Sequence, residues 1–455
     1  MDEMKRDLQH YTNIAVAGFG NTGVSAVRFL LSKGITPTVV DSRQEPPALT
    51  QHAELVAQSE CHFGELSVEL LLSMDLIIVS PGLDTRKGAL RMARDAGVVL
   101  ISDIELFAWY VQTPVIGITG SNGKSTVTEL CYHLLNASGR KAVMGGNIGT
   151  PALDLLSTEH DCVVLELSSF QLDLTYQLEL KAACILNISP DHLDRYDDTR
   201  DYSRSKHRIY AHAEHMVWNL DDIGTRPQGT APGVRKLQKS TTFGKNMSAE
   251  GFCLQRNKGK HWICWRGTRL IETQDLPVVG VHNWLNVMAA LGLCLQLGLQ
   301  PAKALKHIGS FKPLPHRCEL IANRFNVRWV DDSKATNPGA TEAAILGLRP
   351  DVPEKLILIA GGDAKGSDLQ ELEAPLSSVD VLITLGRDGH RVAALKNGAI
   401  QVASMTEAVQ VALEHATPGS LVLLSPACAS LDMFENYQAR GMAFRKAVEV
   451  VHAVS

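Results

Sequence analysis

The chain has 455 residues, 45% of them hydrophobic and 20% charged, with a formal net charge of -5 and an isoelectric point near 6.3. That balance excludes a disordered or fibrous protein, and at roughly 150 residues per domain it predicts about three domains. No global basic field exists to gather nucleic acid or an anionic membrane surface, so an anionic ligand must be held locally.

The opening MDEMKRDLQHYTN is polar and lacks the apolar core of a secretory signal, and the apolar runs at 70–72 and 285–299 are too short or too broken to span a membrane. A cytoplasmic protein without membrane or nucleic-acid partners is the expectation. The nine cysteines form no CxxC pair. Cys162, Cys184 and Cys294 lie in apolar runs and read as reduced core thiols, whereas Cys428, in the loop-like SPACAS, leaves room for a reactive role.

Residues 14–17 are an apolar run that ends in GFGNTG and precedes an amphipathic stretch at 24–32, which predicts strand, glycine turn and helix. Gly18, Gly20 and Gly23 complete a GxGxxG spacing, and Asp41 closes the next apolar run, a pattern shared with dinucleotide sites. A further run at 76–79 stops at Ser80, Pro81 and Gly82. Alternating strands and helices predict a parallel sheet and a first domain over 1–103.

A second unit over 104–312 opens with a strand at 115–119, a glycine-rich loop and a helix at 125–138. GITGSNGKST, at 117–126, is the strongest local signal. Its glycines let backbone N–H groups approach phosphate oxygens, Lys124 neutralises the β and γ phosphates, and the Ser125 and Thr126 hydroxyls reach a magnesium ion. The usual GxxxxGK[ST] spacing is not kept, since position 118 is Ile and the nearer glycine is Gly120. A strand at 162–167 carries Glu166 at its end, a second group directed at magnesium. The next strand, at 183–187, leads into NISPDHLDRY, where His192 beside Asp191 and Asp194 offers a ligand to a divalent ion. Lys206 follows in a basic helical stretch that, taken alone, reads as a solvated face. Residues 224–275 turn polar, and alternating pieces such as HWICWRG predict a small antiparallel excursion. A helix at 281–297 closes the unit before the linker FKPLPHR.

A third unit over 313–455 repeats the theme. Its strands at 327–330, 356–360, 381–385 and 421–424 end in DDSKATNPG, GGDAKG, GRDG and SPACAS, and the carboxyl ends of an open parallel sheet line one ligand-binding edge. Ser430 is read as standing where a strand loop meets a helix, its hydroxyl and the helix N-terminal amides forming a carboxylate pocket. The expected fold class is α/β in three domains: a Rossmann-like first domain, a central P-loop-type ATPase domain on a parallel sheet, and a Rossmann-like third.

TGSNGKST, the strand ending at Glu166, DHLDRY, Lys206, GVHNWLN, LPHR and DDSKATNPG, in this order, resemble the Mur ligases and their relative folylpolyglutamate synthetase over nearly the whole chain. The resemblance implies that Gly120, Asn122, Gly123, Lys124, Ser125 and Thr126 hold ATP, with Asn283, Asn286, Arg317, Asp332 and Lys334 also on the nucleotide. It implies two magnesium ions, one on Ser125 and Glu166 and one on His192. Lys206 looks like the family lysine that carbon dioxide carbamylates, a change that turns a cation repelling magnesium into an anion attracting it. The glycine turn then reads as a UDP-sugar site, with Thr22, Asp41, Ser42, Arg43, Ser80, Pro81, Gly82 and Asn147 at UDP-substrate positions. The segment at 423–441 resembles the branch that adds D-glutamate, where Thr336, Lys365, Ser430, Leu431 and Tyr437 would embrace the amino acid.

The implied reaction joins D-glutamate to UDP-N-acetylmuramoyl-L-alanine through an acyl phosphate, with Lys124, His192 and Lys206 as catalytic residues. A monomer closing about a hinge at 311–316 is expected. Three rivals stay open: another Mur or folate-type ligase with a different amino acid, a nucleotide-driven switch that makes no bond, and an NAD dehydrogenase resting on GxGxxG and Asp41 alone.

Overall fold

The computed structural model describes residues 7–227, 239–246 and 251–454. In the first unit, β1 (Ile14–Ala17), β2 (Thr38–Asp41), β3 (Glu60–Phe63), β4 (Leu76–Val79) and β5 (Val99–Ser102) form a parallel sheet in the order 3-2-1-4-5. Every residue of β1 and β4 is buried, which is why these strands read as unbroken apolar runs rather than alternating ones. Strand order reverses at β1, and the glycine turn leaves from its carboxyl end. Gly18 there has φ +94°, and a Cβ on Gly23 would lie 1.8 Å from the Gly18 carbonyl oxygen. Only glycine lets the helix Asn21–Ser32 start so close to the turn.

The second unit is a nine-stranded sheet. It comprises β6 (Val115–Thr119), β7 (Ala142–Gly146), β8 (Cys162–Glu166), β9 (Ala182–Ile185), β10 (Met216–Asn219), β11 (Ser240–Gly244), β12 (Gly251–Asn257), β13 (Lys260–Trp265) and β14 (Thr268–Glu272), in the order 14-13-12-11-10-9-6-8-7. The antiparallel excursion expected at 224–275 is borne out for β12, β13 and β14 and corrected for β11. β11 pairs parallel with β10, and β12 parallel with β11, so this stretch extends the main sheet, and only β12–β13–β14 is antiparallel. Residues 228–238 and 247–250 of that stretch lie outside the described residues. The helix Val281–Leu295 covers this extension, and a Cβ on its Gly292 would touch Val217, Thr241 and Phe252. Its residues from Val287 to Leu291 are buried in succession, as expected of a helix sunk in a core rather than laid on one.

In the third unit, β15 (Glu319–Arg324), β16 (Val327–Asp331), β17 (Leu356–Gly361), β18 (Val381–Leu385), β19 (Ile400–Gln401) and β20 (Leu421–Leu424) take the order 15-16-20-17-18-19. The first strand is antiparallel to β16 through a two-residue turn, Phe325 and Asn326, both at positive φ. All nine cysteines are free. Cys428 is buried and burial pushes its thiol up to about 12, so the reactive role left open for it is not supported. No helix of the described residues is long and apolar enough to cross a membrane.

Candidate functional site

β6 delivers the chain into the phosphate loop and then the helix Lys124–Ala137. Gly123 has φ +86°, and a Cβ there would lie 2.7 Å from the Asn286 Oδ1. Gly120 and Gly123 thus let the loop turn directly into a helix start, whose first-turn N–H groups have no partner within the helix. Asn187, which the sequence reading did not single out, braces it. Its Oδ1 accepts the Asn122 N–H at 2.8 Å and its amide donates to the Asn122 carbonyl at 3.0 Å. Lys124 folds back on its own loop, donating to the carbonyls of Gly120 and Ser121 at 2.8 and 2.9 Å. Burial lowers its affinity for a proton against the pull of Glu166 and Asp191.

Glu166, at the end of β8, is buried, and its Oε1 accepts from the Asn147 amide at 2.7 Å. Its Oε2 is buried without a hydrogen-bond partner among the described residues. An unpaired buried carboxylate oxygen is costly, and a hard divalent cation satisfies it directly. With the Glu166 carboxylate, the Ser125 hydroxyl at the start of the adjoining helix and the His192 imidazole supply donor types that a divalent cation accepts. Asn147 stands with Glu166 on this side.

Lys206 lies on the helix Thr199–His207 and is 1% exposed, so the solvated-face reading of its helix fails at this residue. Its ammonium donates to the Gly120 carbonyl at 3.0 Å and lies 4.5 Å over the Tyr202 ring. Burial, together with the charge of Lys124, pushes it well below the ordinary lysine range. His192 sits at φ +54° with its ring edge-on to Phe170 at 4.9 Å. Partial burial and the charges of Lys124 and Lys206 lower its proton affinity against Asp191, favouring the neutral imidazole that a metal requires.

A cleft of about 350 Å³ opens between the second and third units, and Asn122, Gly123, Thr126, Asn283, Asn286, Arg317, Asp332 and Lys334 all line it. Arg317 donates across the gap to the Ser125 hydroxyl at 2.8 Å. Asp332 accepts from the Ser425 hydroxyl at 2.8 Å, and burial pushes its carboxyl up to about 7. Lys334 lies 4.4 Å over the Tyr437 ring and is pushed down to about 8 by burial and by Arg317 and Lys124. His282 lines the same cleft. The sequence reading missed it, although it stands inside the GVHNWLN motif.

On the first unit, Asp41 is buried and already fully bonded. Its Oδ2 accepts from the Phe19 N–H at 2.7 Å and its Oδ1 from Arg43 Nε at 2.9 Å. Burial opposes ionisation, yet the Arg43 side chain and the backbone N–H of Phe19 hold the carboxyl below the ordinary range. Asp41 therefore organises the glycine turn and aims Arg43, leaving Ser42 and Arg43 as the exposed groups beside it. Ser80 donates to the Gly18 carbonyl at 3.0 Å, tying the loop of Ser80, Pro81 and Gly82 to the turn. Thr22 stands in the first turn of the helix that follows.

The amino-acid side requires one correction. Ser430 does not start a helix: the helix Tyr437–Val454 begins seven positions later, and the Ser430 carbonyl instead accepts from Met433 and Phe434 in a turn, at 3.1 and 2.8 Å. The turn is held sideways by Asp432, which accepts the Arg387 N–H at 2.8 Å. Ser430 is buried, Thr336 and Tyr437 are half-buried, and Lys365 and Leu431 are exposed. Arg440, another residue the sequence reading missed, is buried and donates to Ser333 Oγ at 3.0 Å and to the Cys428 carbonyl at 3.0 Å. It joins two loops at the sheet edge, and its only sequence signal was a charge among apolar helix positions.

Comparison with known proteins matches residues 12–102 to the Mur ligase MurD-like N-terminal domain, 118–294 to the Mur ligase middle domain and 316–428 to the Mur ligase glutamate ligase domain. A UDP-N-acetylmuramoylalanine--D-glutamate ligase of Idiomarina loihiensis is 42% identical, over 98% of this chain and 98% of that protein. Proteins of the same name from Nitrosococcus oceani and Escherichia coli are 44% and 43% identical, over 96% and 95% of this chain and 96% and 97% of theirs. Among solved structures, MurF ligase from Thermotoga maritima in complex with ADP has a TM-score of 0.61 at 18% identity, covering 98% of both chains. A pseudomurein peptide ligase from Methanothermus fervidus has a TM-score of 0.59 at 21% identity, covering 97% of this chain and 100% of that one.

Proposed function

This chain belongs to the Mur ligase family, and on that premise we propose how its residues carry out its reaction, the ATP-dependent joining of D-glutamate to UDP-N-acetylmuramoyl-L-alanine in peptidoglycan precursor synthesis. The observation that carries the proposal is the unpartnered, buried Oε2 of Glu166 beside the loop of Lys124. Domain 1–103 takes the UDP-substrate, 104–312 the nucleotide and 313–455 the amino acid. The protein works as a monomer in the cytoplasm.

A carboxylate is a poor acyl donor because oxide is a prohibitive leaving group. In the first step an alanyl carboxylate oxygen attacks the γ-phosphorus, the new O–P bond forming as the bond to the bridging oxygen breaks and ADP departs. The amine of D-glutamate then attacks the acyl carbon, the C–N bond forms, the amine loses a proton, and phosphate leaves. Lys124 exchanges its two carbonyl partners for the β and γ phosphates, and Arg317 approaches from the third unit over Ser125, so cations flank the transferred group. Gly120, Asn122, Gly123 and Thr126 supply the phosphate cradle, while Asn283, Asn286, Asp332 and Lys334 hold the rest of the nucleotide.

Ser125 and Glu166 would hold one magnesium ion, and His192 with a carbamylated Lys206 a second. When bound, the ions supply the positive charge that lets two anions meet. Lys206 suits carbamylation because it is enclosed, has one backbone hydrogen bond, and sits where an ammonium is disfavoured. Its neutral amine adds to the carbon of carbon dioxide, one C=O π bond opens to an oxyanion, and the amine proton is released. Thr22, Ser42, Arg43 and the Ser80, Pro81, Gly82 loop face the UDP-substrate, with Asp41 aiming Arg43 and Asn147 fixing Glu166. Thr336, Lys365, Ser430, Leu431 and Tyr437 receive D-glutamate.

The test is phosphate release with UDP-N-acetylmuramoyl-L-alanine and ATP, offering D-glutamate, L-glutamate, L-lysine or diaminopimelate in turn. Release that depends on D-glutamate and disappears in Lys124→Met is the expected outcome. Turnover indifferent to the amino acid, or undiminished in Lys124→Met, would overturn it.

A further inference from the structure

Two arginines on opposite sides of the seam between the first and second units lie against an aromatic stack. Phe170 and Tyr196 lie parallel, 5.8 Å between centroids and 4° between planes. The Arg195 guanidinium lies 4.3 Å over the Phe170 ring and that of Arg86 4.5 Å over the Tyr196 ring, so each ring of the pair carries a cation. Arg86 comes from the first unit, in the loop after β4, and the other three come from the second.

The ends of this stack are tied to working parts. Arg195 donates to the carbonyls of Gly82 and Leu83 at 3.3 and 2.7 Å, the Gly82 carbonyl belonging to the loop assigned to the UDP-substrate. Arg86 is paired with Asp201, on the helix that carries Lys206, and lies 3.6 Å from Asp173. Tyr196 donates to that same Asp173 at 2.9 Å and meets the Ser205 hydroxyl, next to Lys206, at 3.2 Å. His192 rests edge-on against Phe170, and the N–H groups of Arg195 and Tyr196 both donate to the His192 carbonyl. One assembly therefore touches the substrate loop at one end and, at the other, His192 and the helix that carries Lys206.

We propose that Arg86 and Arg195 are positioning residues that gear the Ser80, Pro81, Gly82 loop to His192 and Lys206, so that seating the UDP-substrate and assembling the metal site favour each other. The proposal rests on the roles assigned above to that loop and to His192. Coupling of this kind is reciprocal: if magnesium tightens UDP-substrate binding by some factor, the substrate tightens magnesium by the same factor. Arg86 is the better probe, because its charge reaches the second unit only through side chains.

The experiment is calorimetry on the full chain with a saturating non-hydrolysable ATP analogue. The Kd of UDP-N-acetylmuramoyl-L-alanine is measured with and without magnesium in the parent, Arg86→Met, Asp201→Asn and the doubly changed chain. Magnesium tightens binding in the parent, and each single change lowers that tightening by about tenfold, the usual scale of such couplings. The double change does no more than either alone, while KM for D-glutamate stays within error. If Arg86→Met lowers the melting temperature, Arg86→Lys, which keeps the charge and loses the planar fork, replaces it with the same expectation. Parental coupling in the single variants, or losses that simply add, would overturn the proposal. His192→Ala separates the two levels: retained coupling there removes His192 from the metal site, whereas parental coupling in Arg86→Met alone removes only the gearing.

Discussion

The two seams of this molecule are built from different materials. Between the first and second units one apolar core runs without a break, from Val16, Leu30 and Ile104 through Val163, Leu165 and Ile185. Charge and hydrogen bonds close its rim, with Asp154 accepting from the Ser25 hydroxyl at 2.7 Å and Arg86 paired with Asp201. Among the described residues no apolar core is shared between the second and third units: the central one ends at Phe311, those of the third unit begin at Val327 and Val330, and the helices Val281–Leu295 and Pro338–Leu348 meet at His282 and Gly347. Across that gap run Arg317 to Ser125 at 2.8 Å, a long amide contact between Asn122 and Asn337 at 3.5 Å, and Cys318 against His282 at 3.6 Å, around the open cleft. A continuous apolar interface resists relative motion, and a thin polar one permits it. The difference points to where motion would lie: on the roles proposed above, the UDP-substrate and the metal ions would share one body, and the unit proposed to take D-glutamate would swing on 311–316.

The largest expected effect tests the rigid side. Lys124→Met and Lys206→Ala should each lower kcat by about 10²- to 10³-fold, the size seen when one preorganised electrostatic contact is removed from a reacting centre. A short-chain carboxylic acid should return part of the activity to Lys206→Ala only, by standing in for the carbamate oxygens. Full activity in the unrescued variant would take Lys206 out of the chemistry.

The seam between the second and third units is sharpened next. Arg317→Ala should raise KM for ATP by about tenfold, since a charged hydrogen bond contributes about 1.5–3 kcal/mol, and it should leave the melting temperature unchanged because no core is touched. Solution scattering should show compaction of the parent with ATP, magnesium and UDP-substrate. An unchanged radius of gyration would mean that the second seam is as rigid as the first. Smaller still is the effect of Asp154→Ala, about 1 kcal/mol of stability lost with the half-buried hydrogen bond from Ser25 and the exposed ion pair with Arg28, with kcat preserved. A fall in kcat with parental stability would show that the first seam moves during turnover.

This contrast also marks what the sequence can carry. Strands buried on both faces, such as Leu76–Val79 and Cys162–Glu166, announce themselves as apolar runs, and the glycine turns announce themselves by spacing. Ser240–Gly244 did not, because its residues are threonines and a lone phenylalanine buried under the helix Val281–Leu295, a burial set by tertiary packing rather than by local pattern. The expected meeting of strand loop and helix at Ser430 is absent because residues 430–434 form a turn whose Asp432 accepts the Arg387 N–H, 45 residues away, and the helix starts only at Tyr437. The residues of the cluster were legible as types. That Glu166 Oε1 would be taken by Asn147 and its Oε2 left unpaired was not, since both facts depend on how two strand ends are set side by side.

The smallest effect is a titration, and its sign discriminates between the free protein and its nucleotide complex. Lys334, at the seam between the second and third units, is pushed down to about 8 by burial and by Arg317 and Lys124, against an ordinary lysine value of 10.5. Below pH 8 it is an ammonium and attracts phosphate oxygens, and above pH 8 it is neutral. Affinity for ATP should therefore fall as pH rises through 8, by about threefold, the scale of one partly exposed ion pair. Its contribution to folding runs the other way. Between pH 8 and 10.5 the unfolded chain binds the proton that the folded chain has released, so this residue favours the folded state more as pH rises through that window and less as pH falls through 8. KM for ATP and the melting temperature, each measured from pH 7 to 9.5 in the parent and in Lys334→Met, isolate the residue. The difference between the two chains should grow in favour of the parent fold with rising pH while its advantage in ATP affinity shrinks. Two differences that move in the same direction would mean that Lys334 does not meet the nucleotide, and that the cleft at the second seam closes on something else.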